Sequence, residues 1–500
     1  MKAPQDPFRL TLGNPFLEPI EQHLKTEDLE ARLSNWPLAS LDIAHLSTES
    51  RHDLLDRMQV QMFEPTLTAV DTTTRLFRMI RRGYSGRDPT QVPNRARGMA
   101  IAYFAGKDLR DLPWFPVSAK GMRISGVTGL GKTYEVLRAL KLLPQVFRHG
   151  HSPAADWTHM TQVTWLYVGM SHDGSLGGLL LQILVALDRE AATSYSCERS
   201  ITNLSNEKLA VHVGIILHNH GVGVLVIDEI QGRNFSGGAR GGLAATFFLR
   251  LLNFGIPLVL MGNPLGMDAL DRFSQDMRRT GSGGNIEMHP LEVDDYDFTN
   301  VLAPAMWRYN VMPERSSIED KDGRILFHYC GGIRDYAARI CVSAQRLALD
   351  LGEKSVAEAH LREAFLGPDF SSKERSLIAG FRDKNPLLLQ QFDDVPWQQY
   401  SVRWGLFESS VKGAEAANYK GSVQNGDGIS QSPEKSRKPA VQQAKETAQR
   451  NRTRKTNQAT KRVAERAALQ PQDMRNEGLQ EYLITGLEQL KQADAQSLKE

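Results

Sequence analysis

Gly126-Val127-Thr128-Gly129-Leu130-Gly131-Lys132-Thr133 fits the pattern G-x-x-x-x-G-K-[ST] in full. A short apolar run, Met122-Arg123-Ile124-Ser125, enters it, and a helix-length stretch, 133–143, leaves it. Strand, glycine loop and helix in that order make a phosphate cradle. The glycines let the backbone curl until its N–H groups converge, and the helix N-terminus adds partial positive charge. Gly126, Val127, Thr128, Gly129, Leu130 and Gly131 are expected to supply the cradle, Lys132 to reach the β- and γ-phosphates of ATP, and the Thr133 hydroxyl to bind Mg2+.

Working downstream, Val224-Leu225-Val226-Ile227 is an apolar run that ends in two carboxylates, Asp228-Glu229. A buried carboxylate is costly without a partner, and Mg2+ supplies one. Asp228 is expected at the metal, through water, and Glu229 as the general base that polarises the attacking water. The next apolar run, Pro257-Leu258-Val259-Leu260-Met261-Gly262, ends in Asn263. A polar residue at that strand tip can hydrogen-bond the γ-phosphate or the water; an Asn-Pro turn capping the strand uses the same residue.

Working outward, residues 113–291 alternate short apolar runs (163–168, 222–227, 256–261 and the weaker 286–288) with helix-length segments (175–189, 206–218). That alternation predicts an α/β fold, a parallel sheet with helices on both faces. Residues 1–112 read as a helical N-terminal region, with one apolar rhythm over 58–83. Residues 292–367 read as an all-helical lid, with helices expected over 297–309, 317–329, 333–351 and 356–365. A connector (368–410) follows, then a Gly/Ser/Gln/Lys/Arg-rich tail (411–475) expected to be disordered, and a short terminal helix (476–500).

The bulk numbers exclude more than they assign. The chain has 500 residues, 41% hydrophobic and 24% charged, with a formal net charge of +2. Two or three domains with a sizeable core fit this length. Cys197, Cys330 and Cys341 match neither a disulfide framework nor a zinc site, which suits a reducing cytoplasm. The N-terminus lacks an apolar signal core. The longest apolar stretch, 176–187, is shorter than the roughly 18 residues that a membrane span needs.

Phosphate loop, acidic strand end, polar strand tip and helical lid, in this order, resemble an AAA+ ATPase. The flanking words resemble the TnsC/TniB ATPases that regulate DNA transposition. They are Asn14-Pro15-Phe16-Leu17-Glu18, Arg82-Gly83-Tyr84, Arg87-Asp88-Pro89, Leu143-Pro144-Gln145-Val146 with His149, Gln162-Val163-Thr164-Trp165-Leu166, Asp173-Gly174-Ser175-Leu176, Ile227-Asp228-Glu229-Ile230-Gln231 and Arg278-Arg279-Thr280-Gly281-Ser282-Gly283. The resemblance spans residues 14–350. It implies a switch that assembles as a homo-oligomeric ring or filament on duplex DNA when ATP is bound. Such a switch links a target-selection protein to the transposase subunits and disassembles on hydrolysis. It further implies that Arg278 or Arg279 is an arginine finger for the neighbouring subunit, and that Arg334, in Gly331-Gly332-Ile333-Arg334, is a lid arginine contacting nucleotide. Asn263 stands where Gly-Thr is more usual.

Two basic segments are candidates for phosphate contact with DNA. Residues 434–466 carry eleven basic against three acidic residues and no aromatic. This composition suits counterion release without base stacking, and equally a solvated linker. The second is the glycine-rich 232–240. Two other readings stay open at this level: an AAA+ switch or remodelling enzyme in another pathway, and a nucleotide-stabilised scaffold with little turnover. Glu229 argues against the scaffold.

Overall fold

The computed structural model describes residues 13–20, 25–38, 41–108, 119–231, 238–270, 278–316 and 318–406. The expectations for 411–475, 476–500 and 434–466, and for 232–237, lie outside these residues. Among the described residues seven strands occur in chain order: β1 (Gly121–Gly126), β2 (Val146–His149), β3 (Met160–Val163), β4 (Trp165–Gly169), β5 (Val224–Ile230), β6 (Leu258–Gly262) and β7 (Gly284–Met288). Five form one sheet in the order β4-β5-β6-β1-β7, with every pairing parallel. Parallel neighbours need crossovers, and helices supply them: Lys132–Leu140, Leu176–Ala191, Asn206–Asn219 and Gly238–Asn253.

Alternation along each strand splits the sheet into two buried faces. Leu166, Val168, Leu225, Ile227, Leu258 and Leu260 pack against the helices 176–191, 206–219 and 238–253. Met122, Ile124, Val224, Val226, Val259 and Met261 pack against the helix Lys132–Leu140 and against Phe16, Leu76 and Ile80 from the N-terminal region. The α/β expectation therefore holds, with the N-terminal region covering part of one face.

The apolar rhythm over 58–83 is not one helix. Thr48–Gln61 and Leu67–Ser85 are separate, broken across Pro65. The two go to different cores. Leu76 and Ile80 lie under the sheet, whereas Leu54, Leu55, Met58 and Met62 join the lid. The run 163–168 is likewise two strands. At Thr164 the backbone N–H donates to the Gln145 carbonyl at 2.8 Å. Before it β3 pairs antiparallel with β2; after it β4 enters the main sheet. The β2–β3 hairpin was not foreseen.

In the lid, Arg334–Asp350 and Glu358–Leu366 match expectation, but among the described residues of the 317–329 segment the helix begins only at Arg324, running over Arg324–Cys330. Asp320 caps that late start, accepting from the backbone N–H of Ile325 (2.9 Å) and Leu326 (3.0 Å). The segment 297–309 opens as a π-helix (Asp297–Leu302) and continues as an α-helix, Ala303–Arg308. The described part of the 368–410 connector, up to 406, holds three helices, Ser372–Arg382, Pro386–Leu389 and Trp397–Arg403. Its Ile378, Phe381, Leu389 and Tyr400 belong to the lid core. Among the described residues no helix is long and apolar enough to cross a membrane.

Candidate nucleotide site

Every strand of the main sheet points its carboxyl end the same way, so the loops after β1, β5 and β6 converge there. After β1 the chain turns through Gly129 (φ 87°) and Gly131 (φ 93°), left-handed values that favour glycine. A side chain at Gly131 would also sit 3.3 Å from Arg334 Cδ. Lys132 Nζ donates to the carbonyls of Gly126 (2.8 Å) and Val127 (2.9 Å), its own loop. Burial pulls its ammonium below the usual lysine range, opposed by the Asp228, Glu229 and Asp394 carboxylates.

Thr133 Oγ1 donates to Asp228 Oδ2 at 2.6 Å, joining the two expected metal-binding residues. The Tyr167 phenol donates to the same oxygen, and the Glu229 backbone N–H donates to Asp228 Oδ1 at 2.7 Å. β5 is fully buried through Ile227, and its pairing with β6 shifts register between Ile227 and Ile230. The irregularity is where Glu229 adopts φ 60°, which leaves Asp228 3% exposed but turns Glu229 to solvent. A left-handed glutamate costs about 1–3 kcal/mol. The strain sits on the residue read from sequence as the general base. Gln231 Nε2 donates to Glu229 Oε2 at 2.6 Å.

Asn263 makes the turn-capping bond and stands at the cavity. Its Oδ1 accepts from Gly266 N–H at 2.7 Å, capping the helix Pro264–Leu270, while the residue lines the same cavity as Lys132, Thr133, Asp228 and Glu229. That cavity measures about 990 Å³, room for a nucleotide. Met58, Met62, Met306 and Ala338 add apolar lining, so the N-terminal helix Thr48–Gln61 and the lid close it together.

Arg334, the first residue of the helix Arg334–Asp350, also lines the cavity. Its guanidinium lies over the Phe63 ring at 4.4 Å, donates to the Glu64 carbonyl at 3.3 Å, and stands 3.8 Å from Glu135 Oε1. The helix can start so close to the phosphate loop because of Gly332 (φ 75°), where a Cβ would lie 1.9 Å from the Leu291 carbonyl oxygen. Burial lifts the Glu135 carboxyl to about 7 despite the Arg334 charge, and the same burial lowers Arg334. Thus the structure brings Lys132, Thr133, Asp228, Glu229, Asn263 and Arg334 together.

It does not bring Arg278 and Arg279 there. Both precede β7, whose Gly284 pairs with Met122 near the start of β1. Gly283 N–H donates to the Gly121 carbonyl at 2.6 Å. The phosphate loop begins at the far end of β1, five residue steps or roughly 16 Å away at about 3.3 Å per step. Arg279 Nη2 donates to Asn253 Oδ1 of the same chain, whereas Arg278 is exposed. Tyr167 and Glu135 were missed from sequence: both act through neighbours, and only strand order and helix facing reveal those.

Among the described residues no group of three or more His, Cys, Asp or Glu gathers as a metal site. A phosphate-bound Mg2+ needs none, since one hydroxyl, one carboxylate, waters and phosphate oxygens complete its shell. The Thr133–Asp228 pair fits that demand.

Residues 118–270 match the family model of the AAA domain. Solved structures also overlap the chain. The Aeropyrum pernix ORC2 protein in its ADP form is 12% identical, covering 63% of this chain and 84% of that one, with a TM-score of 0.33. The Aeropyrum pernix ORC1 protein in complex with DNA is 15% identical, covering 61% and 76%, with a TM-score of 0.35. The Thermotoga maritima RuvB Holliday junction branch migration motor is 14% identical, covering 63% and 87%, with a TM-score of 0.32. Superpositions this loose carry no functional assignment. A search of curated proteins finds no match. The AAA domain match and the assembled phosphate loop, Asp228 and Glu229 agree: the chain is a P-loop ATPase of AAA+ fold.

Proposed function

We propose that this ATPase regulates DNA transposition, assembling on duplex DNA when ATP is bound and joining a target-selection protein to the transposase. Hydrolysis returns it to the unassembled state. The observation that carries the reading is the separation of Arg278 from its own phosphate loop by the length of β1. An exposed arginine so placed is out of reach of its own nucleotide and free to meet a neighbour's, and turnover that depends on assembly is what this supports. The words around the site support the transposition branch, above all Arg278-Arg279-Thr280-Gly281-Ser282-Gly283 and Asp173-Gly174-Ser175-Leu176.

In this reading the phosphate loop's N–H groups and Lys132 bind and orient the triphosphate. Thr133 and Asp228 hold Mg2+, which supplies charge neutralisation at the phosphates. Glu229 accepts the proton of the attacking water, and Asn263 orients that water through its amide. Arg334 leaves Glu135 for the γ-phosphate, tying the lid to nucleotide. Arg278 of one subunit completes the site of the next. Arg279, held on Asn253, braces the loop that carries it.

The test is Arg278→Ala beside Arg279→Ala. Arg278→Ala should bind ATP as the parent does and lose assembly-stimulated hydrolysis by about 10³-fold. Mixing it with a Glu229→Gln chain, which keeps nucleotide and its own Arg278, should restore turnover, because each partner supplies what the other lacks. Undiminished turnover by Arg278→Ala alone would move the finger elsewhere.

A further inference from the structure

Tyr167 is a polar side chain at the site to which the reaction above gives no part. It lies on β4, where Tyr167 pairs with Val226 and Gly169 with Asp228. Residues two apart on a strand share a face, so Tyr167 stands on the face that carries Asp228. Gly169, directly beside Asp228, would meet nothing within 4 Å if given a Cβ. That open space gives the phenol room to reach Asp228 Oδ2, to which it donates.

A carboxylate oxygen offers two lone-pair sites. On Oδ2 both are taken, by Thr133 at 2.6 Å and by Tyr167. Oδ1 holds the Glu229 N–H at 2.7 Å. With Asp228 3% exposed, an unfilled site here would be costly. The three donors differ in freedom. The Glu229 N–H is backbone, and the Thr133 hydroxyl can keep its hydrogen on Asp228 while its own lone pair faces a metal. Only the phenol can leave without dismantling the site.

We propose that Tyr167 is a positioning residue that stands in for a metal-bound water. Its hydroxyl satisfies Asp228 when nucleotide is absent and gives up that lone pair when Mg2+ arrives with nucleotide. This rests on the assignment of Thr133 and Asp228 to Mg2+. The phenol therefore competes with the metal's hydration shell while keeping the empty site in shape.

Tyr167→Phe keeps the ring and removes only the hydroxyl. Calorimetric titration of the full chain with a slowly hydrolysed ATP analogue, in EDTA and in MgCl2, reads the competition directly. The variant should bind as the parent does in EDTA and about tenfold tighter in MgCl2, a factor within the worth of one hydrogen bond to a charged group. Its nucleotide-free form should melt below the parent, because Asp228 has lost a donor. Equal or weaker binding in MgCl2, or the same gain in EDTA, overturns the proposal. A parent whose nucleotide affinity ignores MgCl2 would instead remove the metal assignment, and this inference with it.

Discussion

Glu229 pays for its position with a backbone that glutamate rarely adopts, at φ 60°. Asp228 at its side is buried and bonded through both oxygens. One bulge in β5 thus gives adjacent carboxylates opposite tasks, one held and one free to meet water. Glu229→Gln should retain ATP and lose turnover by about 10²–10⁴-fold, read as hydrolysis against equilibrium nucleotide binding. Turnover near that of the parent would remove Glu229 as the base. Away from the site, the half-buried His218 has its Nδ1 near the Phe254 carbonyl (3.3 Å). Burial, then the charges of Arg87 and Arg97, lower it to about 3. A depressed histidine contributes stability that is present above its unfolded value of 6.5 and lost as pH falls toward the folded one. His218→Gln should therefore lose less stability than the parent between pH 7 and pH 4 in denaturant titrations; equal losses would refute the burial argument. At this scale the sequence made Lys132, Thr133, Asp228 and Glu229 readable, because each role is tied to local spacing. Tyr167 was not readable, since its partner is 61 positions away on a neighbouring strand.

Among the elements, the glycine turn before Arg334–Asp350 decides whether the lid reaches the phosphate loop. Gly332→Ala would set a Cβ against the Leu291 carbonyl oxygen, 1.9 Å away, in a left-handed conformation. A loss of about 2–3 kcal/mol is expected in chemical denaturation, with weaker nucleotide binding. A variant as stable as the parent would mean that the lid docks without this close approach. The strands of the main sheet were legible because parallel, doubly buried strands read as continuous apolar runs. The breaks were less so. Thr164 looks like part of a strand, yet its N–H turns to Gln145 and splits the run. The helices over 372–403 hide behind prolines and charges, and their burial is against the lid rather than within one amphipathic stripe.

For the whole molecule, the cleft is closed by parts far apart in sequence. Asp56 of the N-terminal helix pairs with Arg346 of the lid at 2.7 Å, and Tyr309 donates to the Leu54 carbonyl at 2.8 Å. Nucleotide in the cavity would therefore touch the sheet, the N-terminal helix and the lid at once, while Arg278 waits at the sheet's opposite end. Under the proposed function this arrangement makes hydrolysis a property of neighbours rather than of one chain. The measurement that tests this most directly is ATP hydrolysis by the purified protein with and without duplex DNA, with the same mixtures imaged in a slowly hydrolysed ATP analogue. Turnover stimulated by DNA, together with rings or filaments on the duplex, is the predicted result. Turnover indifferent to DNA, with no polymer, would leave the P-loop ATPase in place and contradict the transposition-regulator reading.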